Sequence, residues 1–327
     1  MQTRDEFVER RKNRWQELEV LLADDRALEA LPPAEISRVV GLYRALCADL
    51  MRARTLGCGP DVTGHLDVLA SRVHNRLYTP RPWRLGAVWD LVRRDFPRTL
   101  RRNWRPFAIS TALFYLPFAF GLFATLASPD FAYGVMPRAA LEQASESYAE
   151  GFGAGREAGT NAMMSGFYVM NNVGIAFRCF ATGILFGAGS LFFLVYNGLV
   201  TGTTIGHVIV SGAGHNILTF ICGHGPFELT AIVIAGAAGL LMGWSLVETR
   251  GKTRLGSLRD SGRDLLDLVA GAALMLLIAA AVEGFWSPSG LPALVKWGFS
   301  AVASAGVVLY LSLAGRGRGR GREPGGA

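Results

Sequence analysis

The sequence predicts an all-α, polytopic membrane protein with about six transmembrane helices and an N-terminal cytoplasmic helical bundle, and three observations lead there. Half of the 327 residues are hydrophobic, and several apolar runs exceed the roughly 18 residues that suggest a spanning helix. From Asn171 to Glu248 charge nearly vanishes while glycines recur at four-residue steps, at Gly183/Gly187, Gly198/Gly202/Gly206 and Gly239/Gly243. Lipid gives helices no hydrophobic reason to associate, so small residues that let two backbones touch are how they bind. Arginines, finally, crowd the flanks of alternate apolar runs, the asymmetry that orients membrane proteins.

Residues 1–80 carry helical periodicity without a long apolar run. The stripes are Phe7, Trp15, Leu18 and Leu22, then Ile36, Val39, Tyr43, Leu46 and Leu50, then Val62, Leu66, Leu69, Val73 and Leu77. Pro32-Pro33 and Gly57 to Pro60 punctuate them, so three amphipathic helices are expected. The opening Met1 to Phe7 lacks the apolar core of a signal peptide, which places this bundle in the cytoplasm. Residues 81–105 change character, with Trp83, Trp89, Phe96 and Trp104 among Arg93, Arg94, Arg98, Arg101, Arg102 and Arg105. Rings settle at headgroups and guanidinium groups reach phosphates, so an interfacial helix is expected there, broken or kinked at Pro97.

The membrane domain, 106–313, reads as spans 106–127, 172–196, 198–213, 227–247, 265–286 and 294–313. Six crossings return the C-terminus to the side of the N-terminus. Arg93 to Arg105, Arg250 to Arg263 and Arg316 to Arg322 then all face the cytoplasm, and the expected location is a bacterial inner membrane. The third span is short and glycine-interrupted; it either crosses fully or turns back, in which case Ile217 to Cys222 must supply a second pass. Residues 128–170 form an exterior loop in which Pro137 starts a helix bearing Glu142, Glu146 and Glu150 on one face. Gly151 to Gly155 and Gly159 read as flexible, and 314–327 as a disordered basic tail touching anionic lipid.

Within the apolar stretch stand groups that lipid tolerates poorly: Arg178, His207, His215, His224 and Glu228. Pro226 suits the first turn of the fourth span, so Glu228 is either a helix-start stabiliser or a contact for substrate, ion or partner. Counting from a span that begins at Asn172, Arg178 lies about 9 Å below the outer end. There it either snorkels or pairs with Glu228 or Glu283, with Glu228 preferred. Arg178, His224, Glu228 and His207 form the candidate polar cluster. Asn171 and Asn172 are read as caps of the second span, and Asn197-Gly198 as a turn between two helices.

Several chemistries are not expected. His207, His215, His224 and Glu228 do not form His-Glu-x-x-His, so no metal site is expected. Ser211-Gly212 lacks the surroundings of a rhomboid-like serine protease, and there is no phosphate-binding loop, so the chain reads as non-enzymatic and without cofactors. Cys47, Cys58, Cys179 and Cys222 have no paired spacing and read as small core residues. Basic residues exceed acidic ones, 33 to 26, and all but Lys12, Lys252 and Lys296 are arginine; that bias fits a GC-rich genome, and no nucleic-acid partner is expected.

A pattern runs through Leu42-Tyr43-Arg44, Asp49 to Arg54 and Leu69 to Tyr78 of the N-terminal part. In the membrane part it continues in Asn171-Asn172, Ala176-Phe177, Gly183 to Gly187, Asn197-Gly198, Gly202, His224-Gly-Pro-Phe-Glu228-Leu229 and Ala235 to Leu240. In the order and spacing of these pieces the sequence resembles the stage II sporulation protein M family of bacterial integral membrane proteins. The resemblance implies a membrane scaffold, since the founding member anchors a peptidoglycan-degrading complex of two partner proteins during engulfment. Relatives occur in bacteria that make no spores, and some are associated with MoxR-like AAA ATPases. The expected partners are therefore the lipid bilayer, other membrane or envelope proteins such as a peptidoglycan hydrolase complex or a MoxR-like ATPase, and a second copy of the chain. The small-residue faces serve a homodimer or pack within one subunit. The alternative reading is a small-solute or ion transporter whose path uses the polar cluster.

Overall fold

A computed structural model describes residues 3–23, 32–78, 85–151 and 158–316. Trp83, Gly153, Gly155, Arg156 and the Gly-Arg repeats after Arg316 lie outside the described residues. Among those described, helix is the only regular structure, and the chain divides into two units, 1–84 and 85–327.

In the first unit α1 (Arg4–Ala23), α2 (Pro33–Thr55) and α3 (Pro60–Tyr78) each supply one apolar stripe to a common core. Phe7, Trp15, Leu18 and Leu22 meet Val39, Leu46 and Ala53 of α2 and Leu66, Leu69 and Val73 of α3. The prolines fall where their missing N–H costs nothing, at the first turns of α2 and α3. One carboxylate, Asp49, is buried here, and it accepts from Trp15 Nε1 at 3.1 Å with Arg11 Nε 3.6 Å away. At the surface the Arg38 guanidinium forks onto Glu17 at 2.7 and 2.9 Å and holds that carboxyl below its ordinary value.

The second unit runs α4 (Leu85–Asp90), a π turn at Leu91–Asp95, α5 (Phe96–Arg102), α6 (Trp104–Ala127), α7 (Asp130–Val135) and α8 (Arg138–Ala149). It continues with α9 (Ala158–Ala181), α10 (Ala188–Val208), α11 (Gly214–Val247), α12 (Arg254–Ala281), which ends in a π turn at Val282–Trp286, and α13 (Ala293–Leu313). Among the described residues four stretches are long and apolar enough to cross a membrane: Trp104–Ala127, Ala188–Val247, Arg254–Trp286 and Ala293–Leu313. The second of them is a hairpin, because Gly212 at φ 92° turns α10 back into α11. Gly187, before α10, lies against Gly243 near the end of α11, and Val208 joins Ile217 in a small cluster at the bend. The hairpin holds the centre of the unit. In its most apolar window 72% of the residues are buried, against 17% in α6 and 6% in α13, whose Leu116, Phe120, Leu294 and Val302 face outward.

This arrangement moves a helix boundary from where the sequence placed it. The break between the second and third expected spans lies at Thr182 to Gly187, not at Asn197-Gly198. Gly187 takes φ 86°, a conformation that a side chain would oppose. Asn197 sits inside α10 and donates its amide to the Phe193 carbonyl at 2.7 Å, hiding its polarity against its own helix. Gly198 and Gly202 are not turn residues; a Cβ on either would collide with the carbonyl oxygens of Phe114 and Phe118 of α6. Gly206 approaches the Leu122 carbonyl, and from the other side Gly121 faces Leu199. A second seam places Gly183 and Gly187 on Gly239 and Gly243 of α11. Glycine every fourth residue is read in both seams as direct backbone contact.

One end of the unit is rich in arginine, and there the basic segment does not lie as one interfacial helix. Phe96, Thr99 and Leu100 are buried against α12 and α13, with Phe96 filling the space above Gly271. Arg101 donates to the carbonyls of Leu311 and Ala314 at 2.7 and 2.6 Å, closing the C-terminus of α13. Arg98 donates to the Gly315 carbonyl and Arg102 to Asp264, about three turns into α12. These guanidinium groups, expected on lipid phosphates, are engaged by the end of α13 and by Asp264 of α12, whereas Arg93, Arg94 and Arg105 remain exposed.

Candidate functional site

At the opposite end α7 and α8 cover the bend between α10 and α11. Leu141 of α8 is fully buried, Asn216 Nδ2 donates to the Tyr148 carbonyl at 2.8 Å, and Ser145 Oγ reaches Ser211 Oγ at 3.1 Å. Glu142, Glu146 and Glu150 point outward, as a solvated face does. His207 is buried at this end, its ring edge-on to Tyr133 with centroids 5.7 Å apart and Nδ1 without a hydrogen-bond partner.

Deeper in the same end, three elements bring ionisable groups together. The helix that carries Glu228 begins at Gly214, so Pro226 is internal and Glu228 is not a helix-start residue. Pro226 has no N–H to give the Cys222 carbonyl, so the helix ladder is interrupted between His224 and Glu228. Facing it, α12 loosens into the π turn that contains Glu283, and such turns inside helices occur frequently at functional sites. His224, Glu228 and Glu283 offer one ligand atom each within 4.8 Å of one another. His224 Nε2 lies 3.9 Å from Glu228 Oε2, and its Nδ1 is 3.0 Å from Ser287 Oγ. The Glu228 Oε2 atom is buried with no hydrogen-bond partner. Asn172 Nδ2 approaches Glu283 Oε2 at 3.5 Å, and Lys296 Nζ donates to the Ser287 carbonyl at 2.7 Å. A cavity of about 330 Å³ opens beside His224 and Glu228, walled by Thr201, Ile205 and Trp297.

The cluster therefore differs from the one expected. His224 and Glu228 meet, one helical turn apart. His207 and Arg178 do not join them. Because α9 starts at Ala158 and not at Asn172, Arg178 falls in its last turn, at the arginine-rich end. The neighbouring Cys179 carbonyl touches Gly239, about 16 Å of helix rise from Glu228. Arg178 is exposed and donates Nε to the Gly174 carbonyl of its own helix at 3.1 Å. Asn172, expected as a cap, is mid-helix and buried, and Asn171 donates to its side-chain oxygen at 3.0 Å. Ser287 has no counterpart in the sequence reading, and Glu283, expected there as an alternative partner of Arg178, joins His224 and Glu228 instead. The signal for Glu283 was present: a lone carboxylate in an otherwise apolar run at membrane depth.

Comparison with known proteins agrees with this organisation. A family described as Domain of unknown function (DUF8413) matches residues 5–79, so the first unit stands apart from the family that covers the membrane unit. An uncharacterized protein of Methanocaldococcus jannaschii is 27% identical over 120 residues, covering 36% of this chain and 67% of that protein. No solved structure matches. Residues 110–288, which contain both glycine seams and the whole of the His224–Glu228–Glu283 cluster, match Stage II sporulation protein M, and the chain belongs to that family.

Proposed function

We propose that the protein is a non-enzymatic inner-membrane scaffold, with its first unit in the cytoplasm as a docking surface and α6, α9, α10, α11, α12 and α13 as six crossings. The observation that carries this reading is the division of labour: a separate helical unit with its own core is joined to a membrane unit whose centre is held by backbone-to-backbone seams. An even number of crossings is supported by the meeting of Arg98 and Arg101, before the first, with Leu311, Ala314 and Gly315, at the end of the last. Family membership supports envelope work; the partners we propose are a peptidoglycan hydrolase complex or a MoxR-like ATPase. Crosslinking in native membranes followed by gentle copurification tests it, and recovery of the chain without any envelope partner refutes it. A topology reporter after Ser211 is expected to read as exterior.

The buried cluster and its cavity favour a second reading, transport of a small solute or ion, because ionisable groups at membrane depth are functional candidates by default. Flux in proteoliposomes that Glu228→Gln abolishes would move the assignment there.

A further inference from the structure

We infer that His224, Glu228 and Glu283 form a binding site for one divalent transition-metal cation of the zinc class. The inference does not depend on the scaffold reading. One imidazole and two carboxylates are a donor set that suits zinc and its neighbours, and three protein ligands with one open position is the usual arrangement of a site that admits a water or a ligand. The open position here faces the cavity of about 330 Å³ beside His224 and Glu228.

The geometry fits. Ligand atoms around a tetrahedral zinc with bonds of about 2.0–2.1 Å are separated by roughly 3.3 Å. The three candidate atoms lie within 4.8 Å of one another, and the His224 Nε2 to Glu228 Oε2 separation is 3.9 Å, so small side-chain rotations close the site. When Nδ1–H of His224 is donated to Ser287 Oγ, Nε2 presents its lone pair to the metal. That outer hydrogen bond is the kind that fixes tautomer and ring orientation in metal sites. Asn172 stands in the same relation to Glu283.

Charge balance and helix chemistry point the same way. Ligation takes both carboxylates in their ionised form, and two such charges in a low-dielectric interior carry a cost that a divalent cation removes. The nearby cation, Lys296, donates to the Ser287 carbonyl. The Glu228 Oε2 atom is buried without a hydrogen-bond partner, and a metal supplies the missing contact. Pro226 in α11 and the π turn in α12 interrupt both helices where the three ligands meet, and π turns of this kind occur frequently at functional sites.

The test uses full-length protein carrying a histidine-free tag, solubilised in mild detergent, stripped with chelator and dialysed against Zn²⁺ with excess Mg²⁺. One zinc per chain is expected by elemental analysis, with a rise in Tm on zinc addition. Glu228→Gln and Glu283→Gln preserve side-chain volume and are expected to keep the fold while losing the metal. His224→Ala is expected to weaken zinc by at least about 100-fold and Ser287→Ala, a positioning change, by about 10-fold. His207→Ala, a buried histidine outside the cluster, is expected to keep the zinc. Failure of the wild-type chain to retain zinc overturns the site, and so does equal retention by the His224, Glu228 and Glu283 variants.

Discussion

The two ends of the membrane unit treat charge in opposite ways. At the arginine-rich end, side chains from α5 reach outward from a buried apolar face and are engaged by the carbonyls that end α13 and by the Asp264 carboxylate of α12. At the other end, His224, Glu228 and Glu283 face one another inside the bundle, and one carboxylate oxygen has no hydrogen-bond partner. Charge at a helix terminus satisfies backbone groups that need partners and so contributes stability. Charge in the interior costs desolvation, and its retention calls for a role other than stability. Both ends are held apart by the same scaffold, the glycine seams of α6 with α10 and of the α9–α10 junction with α11.

The comparison breaks most readily at the seams. Gly202→Leu drives a side chain into the Phe118 carbonyl of α6 and is expected to cost about 3 kcal/mol, the upper range for overpacking, read as a large loss of Tm in detergent. A melting curve unchanged by this substitution would contradict the backbone contact. Next comes the arginine-rich end. Arg101→Ala leaves the Leu311 and Ala314 carbonyls without their donor and is expected to cost about 1.5 kcal/mol, while Arg93→Ala, an exposed position, stays within about 0.5 kcal/mol. Equal effects at the two positions would erase the distinction between a capping arginine and a solvated one.

Glu228→Gln sharpens the contrast from the other end. It removes a buried charge and keeps the volume, so metal-free stability is expected to hold within about 1 kcal/mol or to rise, the reverse of Arg101→Ala. A marked loss of Tm in chelator would make Glu228 a structural ion-pair partner. The smallest effect belongs to the first unit. The Arg38 fork lowers the Glu17 carboxyl below its unfolded value, so its contribution is present above that unfolded value and is lost as pH falls through the lowered folded one. Arg38→Ala is expected to flatten slightly the acid limb of a denaturation-midpoint profile, and an identical profile would assign the fork no role in stability.

Much of the fold was legible because membrane helices and amphipathic stripes are written in local composition. The stripe from Phe7 to Leu22 and the apolar run 106–127 correspond to α1 and α6. The boundary of α9 was not legible, because Ala158 to Asn171 mixes Gly159, Thr160, Asn161, Ser165 and Gly166 among its apolar residues and so lacks a continuous apolar run, yet it becomes helix in the folded chain. That displacement carried Arg178 away from Glu228. Glycine has two meanings in such a sequence, a turn or a contact, and only packing against α6 distinguishes Gly198 from Gly187. Glu283 joined the site through tertiary approach, which no spacing near His224 encodes.

The clasp of Arg101 on the C-terminus of α13 bears on biogenesis. Arg101, made before α6, waits for carbonyls at the end of α13, so the clasp cannot form until the ribosome has delivered Ala314. Until then Phe96 and Leu100 lack the α12 and α13 faces that bury them, and an unfinished chain exposes apolar surface beside unengaged arginines. Closure of that clasp is thus a late folding event.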